Sequence, residues 1–130
     1  MELKLGLRGT AQTVVTEENT AKAAGSGQLK VFGTPYMIAL MEKAACEAVQ
    51  PYLDEGCATV GTRLEVSHLS ATPLGMRVTA EAELTAIDRR QLCFTVTARD
   101  DAGVIGEGTH ERFIIQTDRF LEKAIAKKGS

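Results

Sequence analysis

From Ala58 onward the chain keeps a two-residue rhythm of apolar and polar positions. Val60, Thr62, Leu64, Val66 and His68 fall on one side of an extended segment, with Thr59, Arg63, Glu65 and Ser67 on the other. A second segment sets Met76, Val78, Ala80, Ala82 and Leu84 against Arg77, Thr79, Glu81 and Glu83. A third sets Leu92, Phe94, Val96 and Ala98 against Cys93, Thr95, Thr97 and Arg99, and a fourth covers 104–115. A period of two predicts half-buried strands. Pro73-Leu74-Gly75 and Asp100-Asp101-Ala102-Gly103 separate them as turns, and Asp88-Arg89-Arg90-Gln91 is a weaker turn signal without glycine. Strands joined so briefly pair antiparallel. Near the start, Leu3, Leu5 and Leu7 alternate with Lys4, Gly6 and Arg8, predicting a further strand that continues through Val14 and Val15.

The rhythm becomes helical over residues 35–49, where Met37, Ala39, Leu40, Met41, Ala44, Ala45 and Ala48 are good helix formers. Pro35 suits the first helical position, Thr34 suits the N-cap, and Pro51 discourages continuation. A short amphipathic helix, capped by Thr117, uses Phe120, Leu121, Ala124 and Ile125. The order is strand, helix, then four strands. It predicts an α+β fold in which one long helix covers the apolar face of a curved antiparallel sheet. One helix cannot also shield the sheet's edges, so a homodimer that pairs edges is expected.

Composition narrows the function more than the fold. The 130 residues amount to a single domain over 1–130. Net charge is −2, aromatics are 5% and tryptophan is absent, which argues against a nucleic-acid partner. No apolar run approaches the roughly 20 residues of a membrane span, and the first eight residues lack a secretory pattern. Cys46, Cys57 and Cys93 are odd in number and far apart, so neither a disulfide framework nor a zinc site is expected. A reducing, cytoplasmic setting follows. Phosphate-cradling loops and nucleophile elbows are missing, so no cofactor is expected.

Three side chains stand where packing alone does not call for them. Glu42 has Ile38, Ala39, Ala45 and Cys46 as its helical neighbours, whereas Tyr36, Lys43, Glu47 and Gln50 mark the wet face. A carboxylate there is costly unless paired, or else it snorkels to water. His68 shares the parity of Leu64 and Val66; it is a potential general base or a core histidine bonded to the backbone. Thr34 keeps a hydroxyl proton available even while capping. His110 lies between Gly108 and Arg112 on the last strand, where Gly106 and Gly108 signal a bulge or a close approach.

The stretch from Gly33-Thr34-Pro35 to Met41-Glu42, then Val60-Gly61-Thr62, Val66-Ser67-His68-Leu69 and Gly106-Glu107-Gly108-Thr109-His110-Glu111-Arg112-Phe113, resembles the hotdog-fold acyl-CoA thioesterases, in particular the fluoroacetyl-CoA thioesterase-like group. The resemblance implies a hotdog fold, a dimer with active sites near the subunit interface, and hydrolysis of an acyl-CoA in which CoA is part of the substrate. It places the family's catalytic residues on Thr34, Glu42 and His68, the glycine beside the thioester on Gly61, and an arginine tied to the CoA portion on Arg112. It does not carry over fluoroacetate selectivity, because residues 25–29 read Gly-Ser-Gly-Gln-Leu where selectivity needs a lid. CoA also calls for a basic rim, with Arg63, Arg77, Arg89, Arg90 and Arg112 as candidates. A dimer of dimers, a non-catalytic acyl-CoA or fatty-ligand module, and a hotdog hydratase or dehydratase remain open alternatives.

Overall fold

Alternation of small apolar and polar residues builds the sheet. In the computed structural model, which describes residues 2–129, strands β1 (Arg8–Val14), β2 (Cys57–His68), β3 (Arg77–Asp88), β4 (Gln91–Asp100) and β5 (Gly103–Gln116) form one antiparallel sheet. The order is β1-β3-β4-β5-β2, so β1 and β2 are its edges. Val78, Ala80, Ala82 and Leu84 of β3, with Leu92, Phe94, Val96 and Ala98 of β4, are buried on the concave side. A short helix α1 (Ala21–Ala24) precedes the long helix α2 (Thr34–Val49), whose Met37, Leu40, Met41, Ala44, Ala45, Ala48 and Val49 fill that concavity. Alanines on both surfaces let helix and sheet approach closely. At the edge, a Cβ added to Gly9 would overlap the Ala44 carbonyl oxygen and stand 2.5 Å from the Ala48 nitrogen. The chain closes with helix α3 (Thr117–Ile125), which leaves Phe120, Leu121 and Ile125 exposed. Among the described residues no helix is long and apolar enough to cross a membrane.

The helix, the four consecutive strands and the curved α+β layering match the sequence expectation. The first strand does not start where the leucine alternation places it. The chain turns at Leu5 and Gly6, with Gly6 at φ 91°, and Leu5 stays 62% exposed. A left-handed glycine ends extended geometry. Leu3 and Leu7 instead tuck against the core, and the ladder begins at Arg8 opposite Glu83. Caps shift by one residue at both helices. Gly33 is the N-cap of α2, so Thr34 is its first helical residue. Gln116, not Thr117, caps α3, its side chain accepting from the Arg119 N–H at 2.7 Å.

Candidate functional site

Strand β2 carries the site, and an irregularity in it decides which side chains face the helix. Gly61 pairs with Arg112 and Arg63 with Glu111, leaving Thr62 as an extra residue. This β-bulge resets the alternation. Before it, Thr59 and Gly61 face inward; after it, Leu64, Val66 and His68 do. Uninterrupted alternation puts Thr62 inside and Thr59 outside; the structure shows Thr62 exposed and Thr59 8% exposed. His68 keeps its expected side.

At the His68 end of β2, the Thr34 hydroxyl lies 2.7 Å from Nδ1 of His68. Freed from capping by Gly33, that hydroxyl points across to the sheet. Nε2 of His68 is buried and has no hydrogen-bond partner among the described residues. Burial lowers the His68 pKa below its ordinary value, and the nearby Ser70 backbone opposes this more weakly. The imidazole therefore stays neutral, a state in which it accepts protons. A recess of about 280 Å³ opens beside it, lined by Ala21, Phe32, Thr34, His68, Leu69 and Ser70 among others.

At the other end, three buried or half-buried residues meet around Arg112. Its Nε donates to Thr59 Oγ1 at 2.8 Å, its Nη2 to the Thr59 carbonyl at 3.0 Å, and its Nη1 to Glu42 Oε2 at 3.1 Å. The same Nη1 lies 3.1 Å from His110 Nε2. A guanidinium only donates, so His110 Nε2 must accept. The imidazole proton then sits on Nδ1, which donates to the Arg63 carbonyl at 2.8 Å. His110 is thereby a neutral tautomer, consistent with a pKa lowered by burial and by the Arg112 charge, against the opposing pull of the Arg63 carbonyl, Glu42 and Glu111. Gly61 completes the cluster: a Cβ on it would stand 2.5 Å from Glu42 Oε2 and 3.3 Å from Arg112 Nη1. Only glycine lets a carboxylate come so near this backbone.

Glu42 does not snorkel freely, since Arg112 holds it with its side chain 36% exposed. Arg112, tied by resemblance to the CoA portion, is 5% exposed and spends its donors inside the protein, so it is not a rim cation. Arg63 and Arg89 likewise pair with acids, Arg63 with Glu65 and Glu111, and Arg89 with Asp88. Thr59 is the member sequence reasoning misplaced, because the bulge leaves no local signal. His110 was signalled only by its flanking glycines.

The two ends stay apart within one chain. Gly61 and His68 are seven residues apart, which along a strand is about 20 Å. Thr34 and His68 thus form one half of the expected constellation, and Glu42 with Gly61 the other.

The two neutral histidines set a pH dependence. Each binds a proton less readily folded than unfolded, so the unfolded chain gains more protons as pH falls, and stability falls with it. The loss should begin near the ordinary histidine value of about 6.5 and stop growing below the lowered folded values. Urea midpoints measured between about pH 7.5 and about pH 5.5, above the carboxylate range, should decline, and less so in His110→Gln. Equal midpoints across that window would contradict the assignment.

Comparison with known proteins follows the same lines. A family model described as FlK, fluoroacetyl-CoA-specific thioesterase, matches residues 15–118. The chain is 43% identical over 98 residues to the fluoroacetyl-CoA thioesterase of Streptantibioticus cattleyicolor, covering 75% of this chain and 70% of that one. Among solved structures it is similar to the fluoroacetyl-CoA thioesterase FlK, with a TM-score of 0.91 and 35% identity over 100% of both chains. It is also similar to an FlK mutant in complex with fluoroacetate and CoA, with a TM-score of 0.85, 37% identity, and 91% of this chain and 99% of that one covered. A thioesterase superfamily member from Thermus thermophilus superposes with a TM-score of 0.85 at 28% identity, covering 96% of this chain and 94% of the other.

Proposed function

The chain belongs to the fluoroacetyl-CoA-specific thioesterase family, and from that premise we propose that it hydrolyses short acyl-CoA thioesters at sites completed by two copies of itself. The observation that carries this reading is the placement of two half-sites at opposite ends of one bare edge strand. Among the described residues β2 pairs only with β5, so its other edge, 12 residues long, has no strand beside it. Such an edge is stable when another strand covers it. Pairing two β2 strands antiparallel about a two-fold axis, in the register centred on Glu65, sets Gly61 opposite His68 of the partner subunit. Glu42 and Gly61 of one copy then meet Thr34 and His68 of the other, twice per dimer. The orphaned Nε2 of His68 gains a partner in the process.

Chemistry at this composite site follows from the groups present. Attack on the thioester carbonyl builds negative charge on its oxygen, and the proposal assigns the backbone N–H of Gly61 to meet it; losing one such donor costs about 3 kcal/mol. His68, neutral and aligned by Thr34, takes a proton during attack and returns one to the departing CoA thiolate. Glu42 is held at Oε2 by Arg112, while Oε1 accepts no hydrogen bond among the described residues. Oε1 is therefore the atom that stabilises the protonated imidazole while water attacks, or itself attacks the carbonyl and expels the CoA thiolate, the water that then opens the acyl-Glu42 anhydride giving its proton to His68. A single turnover in isotopically labelled water, followed by the mass of the Glu42 peptide, separates these routes: only the covalent one labels Glu42.

The small recess beside Thr34 and His68 supports a short acyl group, and residues 25–29 supply no aromatic lid. Fluoroacetyl-CoA names the relatives' substrate; the proposal for this chain is the wider class of short acyl-CoAs. The test is free-thiol release from a panel of acyl-CoAs, with ultraviolet monitoring of an enoyl-CoA. Thiol release supports the reading. Loss of enoyl absorbance without thiol would make the protein a hydratase, and tight binding with neither would make it a ligand module.

A further inference from the structure

Of the chain's two histidines, His110 is the one that the chemistry at the composite site does not employ. It lies on β5 between Leu64 of β2 and Phe94 of β4 and is buried at 1% exposure. Its ring packs against that of Phe94, with centroids 6.1 Å apart. A phenylalanine would fill such a place without the cost of burying two ring nitrogens. The reason for an imidazole therefore lies in what the nitrogens hold.

Arginine and a carboxylate frequently share two parallel hydrogen bonds. Arg112 and Glu42 share one, from Nη1 to Oε2. The rest of the guanidinium is committed elsewhere: Nε donates to Thr59 Oγ1 and Nη2 to the Thr59 carbonyl. Nη1 carries two hydrogens, one for Glu42 and one for Nε2 of His110. Nε2 accepts there because the ring's own hydrogen sits on Nδ1, which donates to the Arg63 carbonyl. Without that acceptor, the second Nη1 hydrogen would be buried and unpartnered, which is costly. Glu42 is the other acceptor that Nη1 reaches, so the carboxylate would turn Oε1 to the guanidinium as well. Oε1 is the oxygen that turnover requires. The ring also abuts the backbone that faces the thioester: a Cβ on Gly61 would stand 3.3 Å from His110 Cε1 and 2.5 Å from Glu42 Oε2.

We infer that His110 is a positioning residue for hydrolysis: its Nε2 lone pair takes the second Nη1 hydrogen of Arg112, limits the guanidinium to one oxygen of Glu42, and leaves Oε1 free to act. This rests on the thioesterase reading and adds to it a residue that works through Arg112 without touching substrate. Packing alone asks for the volume of a ring at this position; positioning asks for an acceptor at one atom. Two substitutions separate these demands. His110→Phe keeps a ring beside Phe94 and removes the acceptor. His110→Gln replaces the ring but offers an amide oxygen to Arg112.

The test measures kcat and KM for thiol release from a short acyl-CoA, with the melting temperature of each variant as the check on folding. His110→Phe should lower kcat by about tenfold or more and change KM by about twofold or less, because the carboxylate is misplaced for the reacting step and not for binding. His110→Gln should recover most of that loss. In the native protein at about pH 7.5, long-range proton–nitrogen NMR should show a hydrogen on Nδ1 of His110 and none on Nε2. A folded His110→Phe with native kcat, a His110→Gln as impaired as His110→Phe, or a hydrogen on Nε2 would each overturn the inference. If His110→Phe does not fold, His110→Gln decides: most of native kcat upholds the role, and a tenfold loss overturns it. A native protein that released no thiol would lose the hydrolytic reading instead. The Arg112 guanidinium signals, held apart by fixed hydrogen bonds in the native protein and merged in His110→Phe, would then still decide whether His110 fixes Arg112.

Discussion

Glu42→Gln should reduce thiol release from short acyl-CoAs by about 100-fold or more while leaving the fold intact. Glutamine keeps an oxygen to accept from Arg112 but loses the carboxylate that handles the proton or attacks the carbonyl. His68→Ala should fall as far. The decisive result comes from mixing. When the two inactive variants are unfolded together and refolded, half of the dimers are mixed. In a mixed dimer, one site combines Glu42 of the His68→Ala chain with His68 of the Glu42→Gln chain and is complete. About a quarter of native activity should return. If both variants are inactive and the mixture stays inactive, the half-sites do not come from different copies; if either variant alone turns over normally, the residue is not part of the chemistry.

Gly9→Ala should be among the most damaging single methyl groups that could be added to the protein. The added Cβ would meet the Ala44 carbonyl oxygen and the Ala48 nitrogen, which are helix backbone and cannot rotate aside. Either β1 must leave the sheet or α2 must shift from the core, at a cost of about 3 kcal/mol or more. For a chain of this length that corresponds to a fall in Tm of roughly 10 °C. Gly27→Ala is the control, since its Cβ would stand 3.4 Å from the Ala21 Cβ, and it should change Tm little. A Gly9→Ala protein that melts with the native one would show that helix and edge strand are not in the contact described.

The elements whose signals are local were legible in the sequence. Val78 through Leu84 and Leu92 through Ala98 alternate so cleanly that the buried side of β3 and β4 could be read residue by residue, and the alanine-rich run of α2 declared itself. Leu3, Leu5 and Leu7 misled because the same alternation is compatible with a turn when Gly6 supplies a left-handed conformation. For the site, Glu42 and His68 drew attention because each looked expensive where it stood. The partners that reconcile them with their surroundings lie far along the chain: Arg112 is 70 positions from Glu42, and Thr34 is 34 from His68. Arginine ordinarily reads as a surface residue, so nothing in the spacing of Arg112 announced that it would be buried as the organiser of Thr59, His110 and Glu42. The capping role expected of Thr34 fell to Gly33, and it is that displacement which frees the hydroxyl for the imidazole.

The extra residue at Thr62 has a consequence for how such proteins diverge. Pairing Thr62 into the ladder instead would restore strict alternation along all of β2. One half of β2 would then be turned over relative to the other, so Thr59 and Gly61 could no longer share an inner side with His68. Scaffold and reactivity are therefore separable by how a single residue is paired. Descendants can keep the shape while falling silent, and whole-backbone likeness is a poorer guide to turnover than the phase of this strand.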